Sequence, residues 1–103
     1  MEIKKITGEH FQTEVTEAGM PVLVEFYSES CSPCKAQLPV LEAAAGEACD
    51  VKFCRVSVDD DPELALRFHV TVVPTMLIMN GEKIFRTITG FQPLEDILEY
   101  LEM

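Results

Sequence analysis

A mixed β-sheet covered by helices on both faces is the α/β fold this sequence predicts, and three observations carry it. Val22-Leu23-Val24-Glu25-Phe26-Tyr27 is almost continuously apolar, the pattern of a central strand buried on both sides. Asn80-Gly81 stands between two strand-like stretches, and that dipeptide is a strong hairpin signal. Strand and helix patterns alternate at short intervals along the rest of the chain, with no repeat, low-complexity tract or linker to divide it.

The elements follow in order. Glu2 to Ile6 is expected to be a short edge strand. Phe11 and Val15 lie four apart, one apolar stripe on a short helix that stops near Gly19. After the Val22–Tyr27 strand and Cys31 comes a helix with Leu38, Leu41, Ala45 and Ala48 on one stripe. Pro39 lies inside it, where it removes a backbone donor and predicts a kink. Lys52 to Val58, apolar and β-branched, reads as a second interior strand. Asp61 is a good N-cap and Pro62 a good first residue for a helix over 62–68. Thr75 to Met79 and Lys83 to Thr89 form the hairpin. Leu94, Ile97, Leu98 and Leu101 then follow the i, i+3, i+4, i+7 spacing of a closing amphipathic helix. The order is β-α-β-α-β-α-β-β-α, and the right-handed crossover rule puts helices on both faces of the sheet.

With 103 residues, 48% hydrophobic and 25% charged, the chain is expected to be one globular domain over 1–103. Met1-Glu2-Ile3-Lys4-Lys5 has no apolar run behind it, and no stretch approaches the ~20 apolar residues of a membrane span. The chain as given therefore reads as cytoplasmic, unless a leader has been removed, and as a monomer. Eight basic residues against 18 acidic ones give a net charge of −10. Such a field repels phosphate backbones and anionic lipid, which disfavours nucleic-acid and membrane-surface roles; otherwise it serves solubility.

Four cysteines, Cys31, Cys34, Cys49 and Cys54, without an export signal favour redox catalysis or metal binding over a structural disulfide framework. Cys31-Ser32-Pro33-Cys34 falls after a buried strand and at the start of a helix. There the unpaired N–H groups and the positive end of the helix dipole favour a Cys31 thiolate. Cys34, one turn inside, is shielded and placed to attack a mixed disulfide on Cys31. Pro33 stiffens the first turn without losing a hydrogen bond.

The segment from Val22 through Cys31-Ser32-Pro33-Cys34-Lys35 resembles the active-site segment of thioredoxins. Val73-Pro74-Thr75 followed by Asn80-Gly81 is similar to that family's cis-proline loop and hairpin. Gly90 stands at the family's glycine after the last strand, and Pro39 at its helix kink. The resemblance extends over essentially the whole chain. It implies a thioredoxin fold, a three-layer sandwich of helices about a central mixed sheet. It also implies reduction of protein disulfides by dithiol exchange through Cys31 and Cys34, with no bound cofactor beyond that redox-active disulfide. The implied partners are disulfide-containing proteins and a reductase of the thioredoxin-reductase type. Residue by residue, it implies that Pro74 is cis and faces the cysteines, and that Val73 pairs with an extended substrate segment. Ser30, Ser32, Pro33 and Gly90 would complete that rim. Glu25 matches the buried acid that accepts the Cys34 proton, directly or through water, and Arg55 the basic residue facing that acid.

Four positions depart from the family pattern. Ser30 replaces the tryptophan before the first cysteine, Tyr27 replaces another tryptophan, Ser32 replaces glycine, and Glu25 replaces the commoner aspartate. Glu25-Phe26-Tyr27 is closer to protein disulfide isomerases, but Ser32-Pro33 lacks their histidine between the cysteines. Other readings stay open on the sequence. The protein is read alternatively as a disulfide oxidase or isomerase, or as a redox-inert module holding metal on Cys31-x2-Cys34-x14-Cys49-x4-Cys54. Arg55 is alternatively a surface residue, Glu25 a strand-edge carboxylate, and Pro74 an ordinary trans proline. Cys49 and Cys54 are read as small apolar residues or a second redox pair. No metal ligands are assigned.

Overall fold

The computed structural model describes residues 3–102. Five strands, β1 (Lys4–Lys5), β2 (Val22–Tyr27), β3 (Lys52–Ser57), β4 (Thr75–Asn80) and β5 (Lys83–Thr89), form one sheet in the order β1-β3-β2-β4-β5. β1, β3 and β2 run parallel, whereas β4 and β5 are antiparallel to their neighbours. Helix α1 (Gly8–Phe11) continues into a wide π-helical turn over Gln12–Thr16, followed by α2 (Ser32–Glu47), α3 (Pro62–Arg67) and α4 (Leu94–Tyr100).

Strand alternation divides the core into two layers. Val24 and Phe26 of β2, with Cys54 and Val56 of β3, pack on Phe11, Val15 and Leu64. Leu23, Phe53, Met76 and Ile78 point the other way, onto Leu41, Ala44 and Ala45 of α2 and Ile97 of α4. Every residue of β2 is buried, as its apolar run, broken by Glu25 alone, leads one to expect. Glu25 lies on the α2 side of that strand, in register with Arg55 of β3 and Met76 of β4.

Four local details differ from the sequence expectation. The first strand has only Lys4 and Lys5, and Glu2 lies outside the described residues. Phe11 and Val15 are both buried, but a π-type bond from Glu17 N to Gln12 O (2.8 Å) closes the turn that carries Val15. The hairpin pairs Asn80 with Lys83, so its two-residue loop is Gly81-Glu82. Gly81 takes the left-handed conformation (φ 63°) that such a tight loop demands. Finally, the buried stripe of α2 is Cys34, Gln37, Leu41, Ala44 and Ala45; Leu38 flanks it, and a glutamine occupies a core position.

Asp61 fastens the two N-terminal turns on its side of the sheet. Its Oδ1 accepts from Leu64 N at 3.1 Å, capping α3, and its Oδ2 accepts from Gly8 N at 2.7 Å. A Cβ on Gly8 would lie 2.7 Å from that same Oδ2, so a larger residue there would push the carboxylate out of its present position.

Candidate active site

β2 delivers the chain to the carboxyl end of this central strand at Tyr27, and Ser28-Glu29-Ser30 turns it into α2. Asp59 organises that turn: its Oδ2 accepts from Ser28 Oγ (2.9 Å) and Glu29 N (3.1 Å). Ser28 Oγ in turn lies 3.2 Å from Ser30 Oγ, so Ser30 belongs to a small polar cluster. Cys31 is the N-cap of α2 and accepts at Sγ from Cys34 N, 3.2 Å away. Ser32 and Pro33 are exposed, Cys31 is half-buried, and Cys34 is only 1% exposed. Cys31 and Cys34 are joined as a disulfide, with Cα atoms 5.2 Å apart, within the normal span for that bond.

Two further segments converge on the pair. The Val73–Pro74 peptide is cis, and the Val73 carbonyl oxygen is 3.7 Å from Cys31 Sγ. Gly90 N donates to the Pro74 carbonyl at 2.8 Å. Gly90 has φ 83° with open space where a Cβ would point, so its backbone conformation selects glycine. Cys31, Val73, Pro74 and Gly90, remote in sequence, thus sit together, with Ser30, Ser32 and Pro33 exposed alongside.

Beneath α2 lies a buried ion pair. Glu25 is fully buried, and its Oε1 accepts from Arg55 Nε at 2.7 Å. Its Oε2 has no hydrogen-bond partner among the described residues. Burial pushes the Glu25 carboxyl above its ordinary pKa, and the Arg55 contact only moderates that rise. The Arg55 guanidinium stacks over the Tyr27 ring at 3.7 Å from its centroid. Arg55, Tyr27, Leu38 and Cys34 are among the residues that line one small cavity of about 130 Å³.

The other two thiols are elsewhere. Cys49 is exposed beyond the far end of α2, a helix of about 24 Å. Cys54 is buried in the opposite core layer, where desolvation pushes its thiol up to about 11. The four sulfurs therefore do not converge, and the spacing that suggested a four-thiolate metal site has no counterpart in the fold. Asp59, Gln37 and the Arg55–Tyr27 stack were missed by sequence reasoning. Only Gln37, a polar residue on an apolar stripe, left a usable signal.

A family model described as thioredoxin matches residues 2–103. The chain belongs to the thioredoxin family. Its relatives in that family include a thioredoxin of Rickettsia prowazekii (strain Madrid E), 32% identical over 101 residues, 96% of this chain and 95% of the relative. A thioredoxin of Streptomyces clavuligerus is 30% identical over 96 residues, 93% of this chain and 90% of the relative. Among solved structures, a chloroplastic thioredoxin z superposes with a TM-score of 0.88 at 27% identity, covering 98% of this chain and 92% of the other. The thioredoxin fold implied by the resemblance is the fold found. This thioredoxin-family protein is a thiol–disulfide oxidoreductase, a protein-disulfide reductase with Cys31 and Cys34 as its redox pair. The oxidase, isomerase and metal-module readings are not favoured.

Proposed function

We propose that Cys31 is the attacking thiol, Cys34 the resolving thiol and Glu25 the proton acceptor for Cys34. The difference in exposure between the two cysteines carries this reading: one caps the helix at the surface, and the other is enclosed one turn inside. The Cys31 thiolate attacks one sulfur of a substrate disulfide, forms a mixed disulfide and releases the first substrate thiolate. Cys34 gives its proton to Glu25 and attacks Cys31 Sγ, releasing the second. The substrate gains two electrons and the Cys31–Cys34 disulfide forms. Glu25 suits its role because Oε1 is held by Arg55 while Oε2 is free to take the proton. Arg55 supports the acid from the side.

On this reading Val73, Pro74 and Gly90, with Ser30, Ser32 and Pro33, form the rim that receives an extended substrate segment in the manner of strand addition. A reductase of the thioredoxin-reductase type returns two electrons to the oxidised pair. The chain works as a single monomeric domain, and we place it in the cytoplasm, where a reducing environment keeps an exposed thiol such as Cys49 free.

The test is alkylation of the reduced protein at neutral pH together with two variants. Cys31 is expected to label first. Cys31→Ser abolishes turnover, whereas Cys34→Ser accumulates stable mixed disulfides with substrate proteins. Faster labelling of Cys34 than of Cys31 reverses the assignment of roles.

A further inference from the structure

Gln37 occupies the buried face of α2, three residues beyond Cys34, and is fully buried. Its amide pairs reciprocally with the backbone of Gln92: Nε2 donates to Gln92 O at 2.9 Å, and Oε1 accepts from Gln92 N at 2.8 Å. Gln92 lies two residues beyond Gly90, whose N–H donates to the Pro74 carbonyl. The side chain of Gln92 adds bonds to Thr89 O (3.2 Å) and from Tyr100 OH (3.3 Å). A continuous chain of bonds therefore runs from α2 through Gln92 and Gly90 to Pro74, next to the Val73 carbonyl that faces Cys31 Sγ.

A buried primary amide is costly unless its donor and acceptor are both engaged. An apolar residue would fill the same stripe without that requirement, but it would leave Gln92 N–H and C=O, which belong to no strand, without these partners. Packing alone does not account for glutamine here.

We propose that Gln37 is a positioning residue for the dithiol exchange. It holds the Gly90–Gln92 segment, and through Gly90 the Val73–Pro74 loop, in fixed relation to the helix terminus that carries Cys31. Both of its polar groups are committed to Gln92, so it acts on docking of the substrate backbone and not on the thiolate. This role rests on the reading of Val73, Pro74 and Gly90 as the substrate rim.

Gln37→Met keeps the length of the side chain and removes both bonds. The expected result is a KM for insulin disulfides raised about three- to tenfold, with kcat within about twofold of wild type. The rate of Cys31 with a small aromatic disulfide stays unchanged, and hydrogen exchange of the Gln92 amide accelerates. Gln37→Glu is the second variant. Its protonated carboxyl can still accept from Gln92 N–H and donate to Gln92 O, whereas the ionised form cannot donate. Its KM, as a ratio to wild type at the same pH, is therefore near one in acid and rises as the carboxyl ionises. Unchanged Gln92 exchange in Gln37→Met overturns the clamp itself. Faster exchange with unchanged KM overturns the rim reading, and the positioning role with it. Equal losses toward insulin and the small disulfide, or a Gln37→Glu ratio that stays high in acid, also overturn the proposal. Should Gln37→Met fail to fold, Gln37→Glu in acid decides alone.

Discussion

Glu25 sits where a carboxylate is hardest to keep charged, under a helix and between two interior strands. Its pKa is raised in the folded state by burial, which fixes the sign of its effect on stability. The stability it contributes is complete below its ordinary pKa and is lost as pH rises through the higher folded value. Glu25→Gln is therefore expected to be more stable than wild type at neutral and alkaline pH, with the gain vanishing in acid; thermal melts across pH measure it. The same variant should slow resolution of a trapped mixed disulfide by roughly 100-fold, the lower end of what general-base catalysis contributes. Wild-type resolution in that variant would remove Glu25 from the proton path. Burial of Glu25 was legible from its apolar neighbours in sequence. The Arg55 contact was implied by the family resemblance and is found at 2.7 Å, but the residue pattern alone left it open, because a cross-strand partner depends on register and one residue of slip turns Arg55 to the opposite face.

At the scale of elements, Lys52 joins the π-helical turn to the start of β3. Its Nζ donates to the Glu14 carbonyl and to Glu14 Oε1, both at 2.7 Å. Hydrogen bonds from Lys52 and Lys4 hold the Glu14 carboxyl down to about 2. A lowered acid contributes stability that is present above its ordinary pKa and lost as pH falls toward the folded value. Lys52→Met should accordingly lower the Tm by a few degrees at neutral pH, and the difference from wild type should narrow on acidification toward pH 2. An unchanged Tm at neutral pH would make this contact a bystander. Elements with a strong apolar pattern were legible almost to the residue: β2 from its nearly continuous apolar run, and α4 from its i, i+3, i+4, i+7 spacing. The π-helical turn was not: its four-residue apolar spacing fits an α-helix equally well, and backbone bonds such as that from Glu17 N to Gln12 O separate the two. The hairpin loop shifted by one residue for a related reason. Asn-Gly announces a turn, but the cross-strand pairing of Asn80 with Lys83 decides which residues form it.

For the molecule as a whole, the rim around Cys31 bears on which proteins it meets. Ser30 stands where thioredoxins carry a tryptophan, and it is exposed within a polar cluster with Ser28 and Asp59. The rim therefore lacks a large apolar contact on that side, while the chemistry at the α2 terminus is independent of it. Ser30→Trp should lower the KM for a generic thioredoxin reductase roughly two- to tenfold, the equivalent of about 0.5–1.5 kcal/mol for an aromatic contact, with little change in the pH profile of Cys31 alkylation. If KM does not move, partner choice resides elsewhere, with the −10 net charge the first alternative to vary.

The ends of the sheet have a different consequence, for life at high concentration. An open sheet leaves two unpaired strands on which another chain can polymerise. Here one of them, β1, is two residues long, and both are lysines. The other, β5, carries Lys83 and Arg86 and is interrupted by a bulge, where Ile78 pairs with Arg86 but Met79 with Ile84. An acidic molecule has thus kept four of its eight cations on the two borders where copies would stack. Charged side chains on a short ladder and an irregular one are features that oppose edge-to-edge pairing, and on β5 they flank the exposed Ile84 and Phe85.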